Sequence, residues 1–231
     1  MTDKNKICFI TNVNDEFLYK EALLYLQNLH LPEGMSAEVV GVREAESMTM
    51  GYQQAMLSSD AKYKIYLHQD IFVVNPHILT QLLSIFRSDA SIGMVGLAGC
   101  GSLSKEHPVW WDCQPLYGSV YSKLFDEAIQ KDVFGMVPGG EGAVADVAAA
   151  DGIFLATQYD LPWRTDLFRG WHFYDIAQCR EFIEAGYRVV VPHQEEPWVV
   201  HACGHRPVDG EYAVNKAIFM ENYRWQETGE I

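Results

Sequence analysis

Apolar and polar positions follow two rhythms along this chain, and the switches between them mark out its elements. Residues 6–11, KICFIT, form a short apolar run ending in polar NVND, and the next stretch, EFLYKEALLYLQNL, spaces its apolar residues at helical intervals. A strand, a loop and a helix are predicted. After LPEG, SAEVVGVREA predicts a second strand, MTMGYQQAMLSSD a helix and YKIYLHQDIFVV a third strand. Residues 76–88, PHILTQLLSIFRS, carry a helical apolar stripe with Pro76 at the expected first helical position, and IGMVGLAG reads as another buried strand. Alternation of this kind predicts an α/β fold with a largely parallel, doubly wound sheet.

The rhythm fails between about residues 99 and 145, where Gly, Pro and aromatic residues mix without clear period, so an irregular or small-strand insertion is expected. Regularity returns with VADVAAADGIFLAT, a strand leading to a loop, then LPWRTDLFRGWHF and a helix, YDIAQCREFIEAG, closed by Gly186. YRVVVP and WVVHACGH add apolar runs, and a helix with exposed aromatics is expected from Glu211 onward. No Pro/Gly/Ser-rich linker divides the 231 residues, which favours one domain over 1–231.

Composition narrows the functions. A formal charge of −14 argues against nucleic-acid binding, which needs clustered Lys and Arg. No apolar stretch approaches the roughly 20 residues that span a bilayer, and the polar start MTDKNK lacks a signal-peptide core. A soluble, cytoplasmic protein is expected, with peripheral contact at the inner membrane face left open. Cys8, Cys100, Cys113, Cys179 and Cys203 are scattered, without a CxxC pair, and read as free thiols.

Candidate chemistry begins with LHQDIFV. In open α/β sheets ligands gather beyond the carboxyl ends of the strands, which is where His68, Gln69 and Asp70 fall if residues 65–67 are the strand interior. An Asp there must be paired, solvated or metal-bound. Read alone, a turn-capping Asp fits as well as a ligand.

LHQDIFV, AAADGIFLAT, GWHFYDIAQCREFIEAGYRVVVP and VVHACGH, in this order and spacing, resemble the glycosyltransferase family 2-like enzymes, especially their "HQD" subgroup. The resemblance covers about residues 6–205 and thins in the 100–145 region. It implies the glycosyltransferase A-type, Rossmann-like fold, a mostly parallel mixed sheet flanked by helices. It also implies inverting transfer of a sugar from a nucleotide-sugar donor, UDP- or GDP-linked, to a saccharide or other hydroxyl acceptor. Asp70 matches the last carboxylate of an Asp-x-Asp-like motif that binds Mn2+ or Mg2+, with His68 in place of the first, and His201 matches a late histidine on the same cation. His205 follows as a second late histidine whose role stays open. Asp175 matches the general base, although Ala177 stands where a further acidic residue is usual. Donor contacts are expected from Thr11, Asn12, Arg43, Glu44, His68, Gln69 and Asp151. Trp171 and His172 are expected to meet the acceptor, with Trp110, Trp111 and Trp163 read mostly as core.

Each residue has a plainer reading. Asp175 opening a helix can simply cap it, Asp151-Gly152 can simply turn the chain, and Arg43 and Glu44 can be solvated loop charges. The replaced first aspartate and Ala177 leave open a non-catalytic nucleotide-sugar or saccharide-binding protein on the same fold. A nucleotidyltransferase or Rossmann-type enzyme fits less well, because no Gly-rich phosphate loop follows the first strand.

Overall fold

A computed structural model describes residues 2–106, 108–124, 128–203 and 210–225. The strands are β1 (Asp3–Val13), β2 (Ser36–Arg43), β3 (Ala61–Leu67), β4 (Ile71–Val73), β5 (Ile92–Gly96), β6 (Ala98–Cys100), β7 (Leu116–Ser122), β8 (Gln130–Gly135), β9 (Val144–Asp146), β10 (Ala149–Ala150), β11 (Phe154–Thr157), β12 (Arg188–Pro192) and β13 (Val199–His201). The helices are α1 (Glu16–Gln27), α2 (Met48–Ser58), α3 (Ile78–Ser88), α4 (Tyr174–Glu184) and α5 (Gly210–Asn222), with one 3-10 turn at Trp110–Asp112.

A seven-stranded sheet runs in the order β2-β1-β3-β11-β5-β12-β9. Its strands β2, β1, β3, β5 and β12 share one direction, while β11 and β9 oppose them. Period-two alternation decides what each face buries. Along β1, Ile7 and Phe9 face the core that takes the apolar stripe of α3, while Cys8 and Ile10 face the core filled from α2 and α4. The stripe predicted for α3 is Ile78, Leu79, Leu82, Leu83, Ile85 and Phe86, all buried. Lys64 points the other way along β3 and is 1% exposed. Its ammonium donates to the Ala61 carbonyl at 2.7 Å and pairs with Asp160 at 2.8 Å, which satisfies the buried charge.

Helix starts follow from local chemistry. The Asp15 carboxylate accepts from the Phe17 and Leu18 N–H groups to open α1, and Ser47 accepts from Met50 to open α2. Pro76 does not begin α3. The helix starts at Ile78, and the Asn75 side chain, accepting from the His77 N–H at 3.0 Å, forms the preceding turn. Gly186, with φ 86°, closes α4 as expected.

The larger departures concern a second sheet, ordered β10-β6-β7-β13-β4 with β8 paired to β7. The irregular segment thus builds a small-strand layer. IFVV does not extend β3: the chain turns at residues 68–71, with Ile71 N–H donating to the His68 carbonyl at 3.2 Å, and β4 joins the second sheet. VADVAAADGIFLAT likewise divides into β9, β10 and β11, which pair in different places. The aromatics Phe219 and Tyr223 of the last helical segment are buried rather than exposed, Phe219 tilted against Phe173 and Tyr223 stacked on Phe168. The five cysteines form no disulfide, and all but Cys203 are buried. Among the described residues, no helix is long and apolar enough to cross a membrane.

Candidate active site

The turn at residues 68–71 is where the chain passes from one sheet to the other, and its polar side chains open into a cleft of about 330 Å³. Asn12 and Asn14 from the end of β1, Met48 from α2, His68, Gln69 and Asp70 from the turn, Trp171 and His172, and His201 and Cys203 line it. The volume falls in the ordinary range of small-molecule sites.

His201 comes to Asp70 through strand pairing. β13 lies antiparallel to β4 with His201 opposite Ile71, and the Ala202 N–H donates to the Asp70 carbonyl at 2.9 Å. Nε2 of His201 then stands 3.7 Å from Asp70 Oδ2, and Nδ1 of His68 4.0 Å from Asp70 Oδ1. These are ion-pair separations rather than hydrogen bonds. One potential ligand atom from each of the three lies within 4.8 Å of the others. Burial opposes charge on both partners of the Asp70–His201 pair, yet their attraction prevails. His201 and His68 hold the Asp70 carboxyl down at about 2, while Asp70 and Cys203 lift His201 to about 10. A carboxylate with two imidazoles in an open recess is a donor set suited to a divalent ion, with room for phosphate oxygens or water.

Behind this cluster, Tyr174 begins α4. Its hydroxyl is 2.5 Å from His68 Nε2, and its ring is held among Tyr52 and Trp163 at centroid distances of 5.9 and 6.3 Å. Burial pushes its phenol well above the usual range, so it stays protonated.

Asp175 follows on the same first turn, half-buried, with Oδ2 accepting from the Gly152 N–H at 3.0 Å. Burial first, and the charge of Asp151 second, raise its carboxyl to about 7 against backbone hydrogen bonds that pull it down. Both neighbours come from the AADG turn, where Asp151 Oδ1 accepts from Ile153 N–H at 3.1 Å. Gly152 admits this close approach: a Cβ there would meet the Tyr174 hydroxyl, and would lie 2.9 Å from the Asp175 Cβ. Asp175 is not among the cleft-lining residues and connects to the cleft through Tyr174 and His68.

Phe173, just before α4, takes a left-handed conformation with φ 64°. The turn before it carries Trp171, 39% exposed, and His172, whose ring meets Tyr212 edge-on at 5.4 Å. Asn215 of α5 fastens this turn from below, donating to the Arg169 carbonyl at 2.7 Å and the His172 carbonyl at 3.3 Å. Trp110 and Trp163 are buried core, whereas Trp111 is exposed.

The remaining donor candidates divide. Asn12 lines the cleft, donates to the Met48 carbonyl at 3.2 Å and has a buried Oδ1 with no hydrogen-bond partner. Gln69 braces the structure: Oε1 accepts from Asn14 and Asp15 N–H groups, both at 2.8 Å, and its amide donates to the Asn14 side chain. Thr11 is buried in β1. Arg43 is exposed, pairs with Glu16 at 2.5 Å and lies over the Tyr19 ring, and Glu44 is exposed at φ 56°. None of Thr11, Arg43 and Glu44 lines the cleft. Ala177 is buried in the core, a position without room for a solvated carboxylate. His205 lies outside the described residues. The sequence reading missed Tyr174, Asn14, Met48 and Cys203. Tyr174 carried one available signal, its place beside Asp175.

This cleft sits on the fold of the A-type glycosyltransferases. Among solved structures, S. aureus TarS 1–349 in complex with UDP-GlcNAc matches with a TM-score of 0.52 and 9% identity over 91% of this chain and 60% of that one. The mannosyltransferase PcManGT from Pyrobaculum calidifontis, in complex with GDP-Man and Mn2+, matches with a TM-score of 0.53 and 13% identity, covering 96% and 66%. The catalytic domain of Drosophila beta1,4galactosyltransferase 7, complexed with xylobiose, gives 0.55 and 10%, covering 94% and 80%. At these identities the likeness is one of fold, and the chain spans less than two thirds of the first two. Comparison with curated proteins gives no match. The model of a glycosyltransferase-like family matches residues 8–223, and the chain belongs to that family.

Proposed function

We propose that this protein transfers a sugar from a UDP- or GDP-linked donor to an acceptor hydroxyl in a metal-dependent, inverting displacement. The observation that carries this reading is the convergence of Asp70 and His201, distant in sequence, with His68 at the mouth of one cleft. Asp70 and His201 hold a divalent cation, Mn2+ or Mg2+, against the donor diphosphate. When bound, the cation neutralises charge developing on the leaving diphosphate. Asn12, with its unpartnered buried Oδ1, contacts the donor, and Trp171 offers an apolar face to an acceptor sugar.

Asp175 takes the acceptor hydroxyl proton as that oxygen bonds to the anomeric carbon and the bond to the diphosphate oxygen breaks. Its elevated carboxyl, at about 7, suits a base that must be ionised yet still basic near neutral pH. Asp151 shapes this base through its charge and its turn.

The test is a thermal-shift titration of UDP and GDP with and without Mn2+. A bound nucleotide at about 100 times its Kd adds about 2.7 kcal/mol of apparent stability. The shift is expected only with Mn2+ present and is lost in Asp70→Ala. Asp175→Asn keeps the shift and loses transfer. An Asp70→Ala variant that binds UDP or GDP with Mn2+ as tightly as the parent would overturn the cation assignment, and unchanged turnover in Asp175→Asn the assignment of the base.

A further inference from the structure

The two ring nitrogens of His68 have different surroundings. Nε2 meets the Tyr174 hydroxyl at 2.5 Å, while Nδ1 is turned toward Asp70, 4.0 Å from Oδ1. Tyr174 is held where it is: it is buried, and its ring packs against the touching pair Tyr52 and Trp163. The hydroxyl therefore acts as a fixed post for one edge of the imidazole and presents the other edge to the Asp70–His201 pair. The His68 and His201 rings lie 6.0 Å apart, inclined by 63°, on either side of Asp70.

We propose that His68 is a third ligand of the cation site, oriented by Tyr174, and that the resulting set of two imidazoles and one carboxylate selects a borderline transition-metal ion over Mg2+. This deepens the reading above and rests on its cation site. A ligating histidine generally hands the proton on its far nitrogen to a fixed acceptor, which sets tautomer and ring angle. Here the Tyr174 oxygen is that acceptor, and Nδ1 presents its lone pair to the ion. The selectivity follows from the donors. Mg2+ is small, hard and reluctant to give up water for anything but oxygen, whereas imidazole nitrogen suits the later first-row ions. With two of three protein donors being nitrogen, affinity is expected to rise from Mg2+ through Mn2+ to Co2+. The same geometry explains why a tyrosine is the residue just before the proposed base: one turn of α4 carries both the post for the ion site and Asp175.

The experiment measures Mn2+ binding by the loss of its free-ion EPR signal, with Mg2+ and Co2+ as competitors, on the whole chain without nucleotide. Wild type, His68→Asp and Tyr174→Phe are compared, each with its folded fraction fixed by circular dichroism. In wild type, Co2+ displaces Mn2+ at lower concentration than Mg2+ does, with Mn2+ favoured over Mg2+ by about tenfold or more. His68→Asp replaces a nitrogen donor with oxygen and should narrow the Mn2+-to-Mg2+ ratio by about tenfold. Tyr174→Phe keeps the packed ring, removes the post, and should weaken Mn2+ binding by about 10- to 100-fold without loss of folded protein.

A ratio unchanged in His68→Asp overturns His68 as a ligand. Unchanged Mn2+ affinity in Tyr174→Phe overturns its positioning role, because a merely structural tyrosine would alter melting and leave affinity alone. Wild-type protein that binds no Mn2+ at all would refute the cation site of the proposed function itself, a result distinct from either failure.

Discussion

Asp175→Asn is expected to make the metal-free protein more stable at pH 8 and to leave it unchanged at pH 4. The carboxyl titrates at about 7 in the folded protein, against an ordinary value of 3.8. Between these values the unfolded chain has released the proton and the folded chain has kept it. The folded state binds more protons there, so stability falls as pH rises. At 1.36 kcal/mol per pH unit, the ionised side chain costs the folded state about 4 kcal/mol once pH exceeds about 7. An asparagine avoids this cost and keeps an oxygen for the Gly152 N–H, though a neutral acceptor makes a weaker bond than a carboxylate. About 4 kcal/mol is therefore a ceiling, and about 2 kcal/mol is the expected gain at pH 8. Urea unfolding of both proteins in chelator, in steps from pH 4 to 8.5, gives the difference directly, because titrations common to both cancel. That difference should grow between pH 4 and 7 and then level off. A pH-independent difference, or a variant less stable than the parent at pH 8, would refute the account of a base held at an energetic cost. The same titration sets the activity profile, with transfer by the parent rising with pH through about 7 as Asp175 ionises.

Two further substitutions test the supports around that base. Gly152→Ala forces a methyl against the Tyr174 hydroxyl and the Asp175 Cβ, and should lower stability by about 1–3 kcal/mol in urea titration while reducing transfer by more than the loss of folded protein. Asn215→Ala strips the Arg169 and His172 carbonyls of their donor and should cost about 1–3 kcal/mol. With Trp171 loosened, the acceptor KM should rise while nucleotide binding by thermal shift stays as in the parent.

What could be read from sequence was what neighbouring residues decide among themselves. The apolar run Ile7–Ile10 as a strand, the stripe of α3 and the glycine stop after α4 are local patterns, and each appears in the fold as expected. The cleft gathers His68, Asp70, Trp171, His172 and His201, all singled out beforehand, because strand ends converge in this kind of sheet. What escaped was decided by partners far away in the chain. IFVV is equally apolar whether it prolongs β3 or crosses to another sheet, since both alternatives bury it. Nothing near Phe219 and Tyr223 reveals that Phe173 and Phe168 are waiting for them. Arg43 has the composition of a phosphate contact, but Glu16 and the Tyr19 ring engage it. Nothing beside Tyr174 points to its partner, His68, which lies 106 positions away.

The pairing of β4 with β13 has a consequence for how such a site can change over time. His201 faces Asp70 only because Val200 pairs with Phe72 and His201 with Ile71. Side chains on a strand alternate sides, so a one-residue insertion within Ile71–Val73 or Val199–His201 would turn the histidine away and offer a neighbour in its place. The loops between the elements of residues 74–198 carry no such constraint on their length, provided β13 still meets β4 and β7 in register. Loops elsewhere can thus lengthen, shorten or be rebuilt around the cleft, while two three-residue strands keep count for the residues that meet in it.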